Sequence, residues 1–402
     1  ILTLKKEVSM NIKEFREKAI KRYKNSESPK EIYQSLGKSK TWFFKWLKRY
    51  KLDGKDWAKS LSCRPHQSPK RINKAMEQMV IETRKRLEKK PYAQIGAFNI
   101  YWHLKQEGKI PPSLATLNRI IKRNNLVHKR TKYSPKGVNY PSLAITRSNY
   151  LHQLDVVGPR YLKEDGRFYS TNIIDAYDRR NSINPDRRQN RMAITKALIC
   201  SWRTLGMPCY LQMDNQLPMR GSNQYPHSFG LVIRLCLSLG IQPLFIPLAE
   251  PWRNGIIEHF QDVFDKTFFR TQYFKDFDYL YKKAKEFELF HDQNHRYSTL
   301  EGMTPNQKFS GDIKLLPASF RLPEKLAIVP GYVHLVRFIR SDRVLDIFGE
   351  QYIMPGNVEH EYVWATIDTA QEKLFVYHDS KLVVEYDYLL PKSSIDLSKI
   401  DL

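Results

Sequence analysis

Apolar positions recur at helical spacing through the first third of the chain, mix strand-like and helix-like runs in the middle, and alternate at strand spacing towards the end. Ser28-Pro29-Lys30-Glu31 predicts a helix start, with Ser28 as N-cap, Pro29 in the first turn and Glu31 closing a capping box. That helix runs to about Leu36, Gly37 supplies a turn, and Ser39 caps a second helix from Lys40 to about Arg49. Trp42, Phe43 and Trp46 are placed to pack inward, leaving Lys40, Lys45, Lys48 and Arg49 more exposed. The pattern fits a helix-turn-helix over residues 10–52; a plain helical hairpin is the alternative.

Residues 51–70 are polar, carry Pro65 and Pro69, and read as a linker. Helices are predicted from about Ile72 to Lys89, from Ala93 to Gln106, and after Ser113. In the last, Leu117, Ile120 and Ile121 form the apolar face while Arg119, Lys122 and Arg123 face out. Residues 70–127 thus form a second helical unit of helix-turn-helix or winged type, and residues 128–147, with Lys129 and Arg130, a basic tether suited to a phosphate backbone.

From about Tyr150 strands are predicted over Leu151–Val157, Arg167–Ala176 and Asp178–Ile183. Helix and strand then alternate: a helix over 189–205, strand Tyr210–Met213, helix over 229–239, strand over 242–246, a long helix from Trp252 to about Tyr273, and another over 279–294. This order describes an α/β layer on a mixed sheet over residues 148–312. Beyond Pro330 six short alternating strands over residues 328–392, punctuated by Gly349, Gly356 and Asp379, predict a small antiparallel β-barrel.

The 402 residues accommodate two to four domains, and no apolar run spans a bilayer. Residues 1–9 precede Met10 and read as an extension outside the fold, without the features of a secretion signal. The net charge of +25 is segregated: residues 1–150 hold 36 Lys and Arg against 11 Asp and Glu, and the remainder is balanced at 31 of each. That segregation points to a polyanionic partner for the N-terminal third, against the alternative of a solubilising face. Cys63, Cys200, Cys209 and Cys236 lack zinc-site spacing and read as reduced thiols of a cytosolic protein. His291 and His295, four apart but without a third ligand motif, read as surface or core histidines.

Three acids stand out: Asp155 in Leu-Asp-Val, Asp214 in Gln-Met-Asp-Asn, and Glu258 in Pro-Trp-Arg-Asn-Gly-Ile-Ile-Glu. Two follow apolar, strand-like runs and the third sits one turn into a helix, so they can converge on one sheet edge. Carboxylates suit hard divalent ions, and two such ions about 3.5–4 Å apart serve phosphodiester chemistry. Spacing alone is weak evidence, because 42 acidic residues offer many such triples.

The flanking residues add to it. Leu154-Asp155-Val156, the run Asn172 to Arg180, Gln212-Met213-Asp214-Asn215, Gly240-Ile241, Pro251 to Glu258, and Asn294 to Leu300 with Gly302-Met303-Thr304-Pro305 occur in order across roughly residues 145–310. This region resembles the integrase-type DDE transposases of bacterial insertion sequences, a group related to retroviral integrases. The resemblance implies an RNase H-like core using two Mg²⁺ or Mn²⁺ ions, with Asp155 bridging both, Asp214 completing one site and Glu258 the other. It implies a structural role for Asp175, a turn shaped by Asn254 and Gly255 that presents Glu258, Trp252 packed beneath it, and Arg253 and His259 as candidate phosphate contacts. It further implies cleavage at an element's ends, joining of 3′-OH ends to target DNA, recognition of terminal inverted repeats by the N-terminal helices, assembly as at least a dimer on DNA, and a cytoplasmic, nucleoid-associated location without membrane partners.

The chain departs from the family pattern in three places. The 43 residues between Asp214 and Glu258 exceed the usual number, and Pro218–His227 reads as an inserted loop. His259 stands where Arg or Lys is common, and the basic residue usual two turns past the Glu falls at Lys266 rather than Asp265. Two competing readings are a catalytically silent transposase-derived DNA-binding regulator and an RNase H-like nuclease that cuts without joining.

Overall fold

The computed structural model describes residues 12–52, 54–61, 72–127, 138–224, 227–311 and 313–398. The chain divides into two compact units, residues 1–73 and 74–402.

The first unit holds helices α1 (Ile12–Lys24), α2 (Pro29–Ser35) and α3 (Lys40–Leu52). Ala19, Ile20, Ile32, Phe43 and Leu47 form its core, with Trp42 and Tyr50 packed against them. Gly37 adopts φ +62° between α2 and α3, a left-handed turn that glycine makes without strain. Ser39 Oγ caps α3 by accepting from Trp42 N at 3.2 Å. The expected capping box on α2 does not form: Ser28 is the N-cap residue but its side chain accepts no cap bond. Pro29, which lacks an N–H, sets the entry instead.

The second unit begins with α4 (Lys74–Glu88), α5 (Ala97–Gln106) and α6 (Leu114–Arg123). On α6 Leu117, Ile120 and Ile121 are buried, and Glu77 of α4 binds Arg123 at 2.8 Å. These helices dock on the rest of the second unit through Tyr92, whose ring meets Phe268, Phe287 and Phe290, and through Arg296 stacked over Trp102.

The central layer comprises β1 (Leu151–Leu162), β2 (Gly166–Asp175), β3 (Asn181–Asp186), α7 (Arg191–Trp202), β4 (Tyr210–Met213), α8 (Leu217–Arg220), α9 (Leu231–Ser238), β5 (Gln242–Phe245), α10 (Gly255–Val263), α11 (Phe277–Asn294) and the short α12 (Pro305–Lys308). β1, β2 and β3 are antiparallel, whereas β4 and β5 add in parallel on the other side of β1. The resulting order is 3-2-1-4-5, a mixed sheet as the sequence pattern predicts. Leu154, Ile173 and Leu211 pack with α7 and α9 on one face, and Phe168, Ile174 and Ile183 with α10 and α11 on the other. The segment read as one helix from Trp252 to Tyr273 is broken: a 3₁₀ turn over Pro251–Asn254, α10, a π turn over Phe264–Phe268 and a 3₁₀ turn over Phe269–Thr271.

The C-terminal strands are β6 (Lys325–Leu326), β7 (Tyr332–Phe338), β8 (Val344–Ile347), β9 (Glu350–Ile353), β10 (Tyr362–Asp368), β11 (Lys373–His378), β12 (Lys381–Asp387) and β13 (Ile395–Asp396). The expectation of a small barrel of their own is corrected here. β7 pairs in parallel with β5, Leu244 opposite His334 and Phe245 opposite Leu335, and β10, β11 and β12 continue outward. One nine-stranded sheet results, and Leu335, Val363 and Val376 share a single apolar core with Leu154 and Leu198. Without β7, β5 would be an open edge with unpaired N–H and C=O groups. Period-two alternation reveals which side of a strand is apolar, not which strand it pairs with, so this union was hidden in the pattern. Among the described residues no helix is long and apolar enough to cross a membrane.

Candidate active site

β1 and β4 are registered in parallel with Gln153 opposite Gln212. Asp155 and Asp214 each lie two residues further on, so the register brings them side by side just past the end of the β1–β4 ladder. Three amide side chains then bring α10 to the same end. Gln153 Oε1 accepts from the N–H groups of Ile256 (3.1 Å) and Ile257 (3.0 Å), satisfying two of the free donors of the helix N-terminus. Asn254 Nδ2 donates to Leu154 O at 2.9 Å, and its Oδ1 accepts from Gln212 Nε2 at 3.1 Å. Gln212 Nε2 also reaches Arg253 O at 3.1 Å. Glu258 sits in the first turn of the helix so anchored, where a carboxylate complements the positive end of the helix dipole.

All three acids are half-buried. Burial, then the neighbouring carboxylates of Asp214 and Glu258, push Asp155 up to about 6, against the bonds it accepts from Val156 N (2.8 Å) and Gln261 Nε2 (2.8 Å). Burial also raises Asp214, opposed by the Gln216 N–H at 3.0 Å, and raises Glu258. Among the described residues no Lys, Arg or His forms an ion pair with any of the three. Three hard oxygen donors without a balancing cation suit a divalent ion chemically. Among the described residues, however, no three His, Cys, Asp or Glu side chains are gathered closely enough to hold one.

Asp175 belongs to a different cluster. It is fully buried and accepts from Asn149 N (2.5 Å), Tyr177 N (2.7 Å) and Asp178 N (3.0 Å), with His152 Nε2 at 3.5 Å. Burial acts to raise its pKa, but His152 and these N–H groups hold it below the usual carboxylate range. One oxygen closes the β2–β3 connection through Tyr177 N and Asp178 N, and the other ties it to the entry of β1 through Asn149 N and His152, a structural task. His291 and His295 are buried and stacked, His291 between Tyr297 OH (2.7 Å) and Asn181 Nδ2 (2.8 Å), and burial with nearby His291 and His259 drives His295 well down. They are satisfied core histidines.

Other expectations shift. Trp252 does not pack beneath Glu258 but is 52 % exposed, because the 3₁₀ turn points it outward. Arg253 is held inside: it donates to Glu250 (2.9 Å) and to Tyr362 OH (2.8 Å) and stacks on Tyr140 at 4.0 Å. Those contacts occupy the guanidinium as a latch between α10 and β10, where a free phosphate contact was anticipated. Lys266 pairs with Asp262, and Asp265 with Arg160 (3.2 Å) and Arg270 (2.5 Å). Lys40, Lys45 and Lys48 are exposed on α3, and Arg49 stacks over Trp46 at 5.2 Å. Arg119, Lys122 and Arg123 are exposed on α6. Lys129 and Arg130, like Cys63 and parts of the tether and inserted loop, lie outside the described residues. Of the other cysteines Cys236 is buried, Cys209 half-buried and Cys200 exposed.

Sequence reasoning missed the amide anchors Gln153 and Gln212. A signal existed: each stands on a strand two residues before one of the acids.

No protein-family profile and no curated protein sequence matches the chain. Among solved structures it is similar to the HTLV-2 integrase catalytic core domain in complex with magnesium, at 16% identity over 40% of this chain and 97% of that one, TM-score 0.31. It is similar to a simian T-cell lymphotropic virus intasome in complex with a PP2A regulatory subunit, at 14% identity over 75% and 95%, TM-score 0.36. The catalytic core domain of BIV integrase matches at 12% identity over 40% and 92%, TM-score 0.30.

Proposed function

We propose that this chain is a DNA transposase of an insertion sequence, which cleaves element ends and joins the freed 3′-OH ends to target DNA. The observation that supports this reading is the register of β1 on β4, with the Gln153–Gln212–Asn254 anchors, which brings Asp155, Asp214 and Glu258 towards one another where the β1–β4 ladder ends, with no ion pair to any of them among the described residues.

In this reading Asp155 would ligate two Mg²⁺ or Mn²⁺ ions, with Asp214 and Glu258 each completing one site. Such ions, when bound, lower the pKa of an attacking O–H and neutralise charge on the leaving oxygen. The chain's own part is to hold its carboxylates oriented in a half-buried site where their charge calls for a cation. Burial and the neighbouring carboxylates raise Asp155 to about 6, so its charge is disfavoured unless a cation offsets it. In the joining step the 3′ oxygen forms a bond to a target phosphorus while the bond from that phosphorus to its 3′-bridging oxygen breaks. The proton of the attacking hydroxyl leaves to solvent, and no bond to protein forms.

The N-terminal third would recognise the terminal repeats. Lys40, Lys45, Lys48 and Arg49 of α3, and Arg119, Lys122 and Arg123 of α6, are the phosphate and base contacts we assign, each on the basic side of a helix that buries its apolar face. Recognising two ends calls for at least two copies on DNA. The catalytic assignment is tested by Asp155→Asn, Asp214→Asn and Glu258→Gln. Each is expected to fold, bind end DNA and lose cleavage and joining; retention of joining in any folded variant refutes its assignment.

A further inference from the structure

The guanidinium of Arg337, on β7, is the deepest cation near the catalytic edge, with the residue 4 % exposed. Among the described residues it pairs with no carboxylate within salt-bridge distance. Its partners are Asp346 O (2.9 Å), Ile246 O (3.1 Å), Val336 O (3.0 Å) and the side-chain Oδ1 of Asn215 (2.7 Å). Burial lowers its pKa to about 10. A cation buried on carbonyl dipoles, with the Asp346 carboxylate acting on it only from beyond ion-pair distance, is a costly way to fill a core position, and an apolar side chain of similar size would often do so more favourably. A compensating role is therefore to be sought in what the guanidinium holds.

That role lies at Asn215, the residue after Asp214. Asn215 Oδ1 accepts from Arg337, its Nδ2 donates to Ile246 O at 2.7 Å, and its backbone O accepts from Arg220 Nε at 2.9 Å. Ile246 N donates to Met213 O at 3.1 Å, on the other side of Asp214. The turn carrying Asp214 is thus bonded before and after the acid. The fork of Arg337 joins three elements at that point: the turn after β4, the exit of β5 and the strand β8.

We propose that Arg337 is a positioning residue for Asp214, acting through Asn215, so that the C-terminal sheet extension is part of the catalytic edge. This rests on Asp214 being a metal ligand. Groups bonded behind a ligand fix its orientation, and their loss typically weakens metal binding or activity about 10–100-fold.

The test uses the full-length chain and Mn²⁺, followed by electron paramagnetic resonance titration, alongside end-DNA binding and strand transfer. Asn215→Ala and Arg337→Met are each expected to weaken Mn²⁺ binding by roughly 10–100-fold with end-DNA binding unchanged. The double variant is expected to lose less than the sum of the two, since both break the shared Arg337–Asn215 contact. Arg337→Lys, which keeps the charge but not the fork, is expected to recover only part of the loss. Wild-type Mn²⁺ affinity in Asn215→Ala overturns the proposal, and that variant decides the matter if Arg337→Met fails to fold. Fully additive losses overturn it too. Asp214→Asn separates the two levels: if it leaves Mn²⁺ binding intact, the ligand assignment itself fails. If it abolishes binding while Asn215→Ala binds normally, only the positioning role fails.

Discussion

Replacing Asp155 by Asn is predicted to stabilise the cation-free protein at neutral pH, because this carboxylate is held where folding disfavours its charge. Its pKa rises from 3.8 to about 6, chiefly through burial and then through Asp214 and Glu258. A shift of that size corresponds to roughly 3 kcal/mol between the two protonation states. The folded-state pKa lies above the unfolded one, so folding is unhindered by this group below about pH 4. The penalty grows as pH rises from about 4 to 6, and is complete above that. An uncharged amide in place of the Asp155 carboxylate would carry no such penalty. It would keep an acceptor for Val156 N but turn the bond from Gln261 from one to a charged group into a neutral one, a loss of about 1–1.5 kcal/mol. The net gain is about 1–2 kcal/mol at pH 7.5, or roughly 2–5 °C in melting temperature. Thermal melts in chelator at pH 7.5 and pH 4 measure it. Mn²⁺ at a hundred times its Kd would add about 2.7 kcal/mol to the wild type alone and reverse the order. A variant no more stable than wild type at pH 7.5, or a gain that persists undiminished at pH 4, refutes the reasoning.

Gln153→Ala strands the N–H groups of Ile256 and Ile257 at the start of α10, so a loss of about 1–3 kcal/mol is expected, with strand transfer reduced and end-DNA binding retained. Urea melts and a joining assay check both halves. Asp175→Ala removes a buried acceptor of three backbone N–H bonds, and is expected to reduce the melting temperature sharply while leaving Mn²⁺ affinity of the folded fraction unchanged. For Lys45→Ala with Lys48→Ala, the slope of log K against log salt for end-DNA binding is expected to become shallower by about 0.9 per lost phosphate contact. Fluorescence anisotropy across a salt series reads it, and an unchanged slope would remove these lysines from the interface.

Much of this architecture is legible in local pattern. The apolar faces of α3 and α6 and the runs that become β1, β4 and β5 carry their periods openly. Asp214 follows the run of β4 at its end, whereas Asp155 lies within the longer β1, opposite Asn172 of β2. What escaped is non-local. The C-terminal strands alternate as a barrel would, yet their partner is β5, nearly ninety residues earlier, and nothing in a period of two names a partner. Gln153 and Gln212 look like polar residues in apolar strands until the register pairs them across β1 and β4. Arg253 and Trp252 exchanged roles for a related reason. The 3₁₀ turn before α10 rotates the tryptophan outward and carries the arginine to Glu250 and Tyr362, a contact across more than a hundred residues. The segment from Trp252 to about Tyr273 reads as one helix by composition, but the backbone changes pitch where Phe264 and Phe268 both pack on Phe287 and the adjacent Phe269 turns to Phe168.

The central claim, that the three acids at this sheet edge join DNA, is tested most directly by sequencing junctions. Purified full-length protein would be incubated with duplexes from the flanks of its own gene and a plasmid target, with Mg²⁺, Mn²⁺ or chelator, and Glu258→Gln in parallel. The account predicts new junctions between the 3′ ends of the flank duplexes and plasmid DNA, present only with divalent cation and absent in Glu258→Gln. Junctions that form equally in the variant, or flank binding with neither cutting nor joining under any cation, would contradict it.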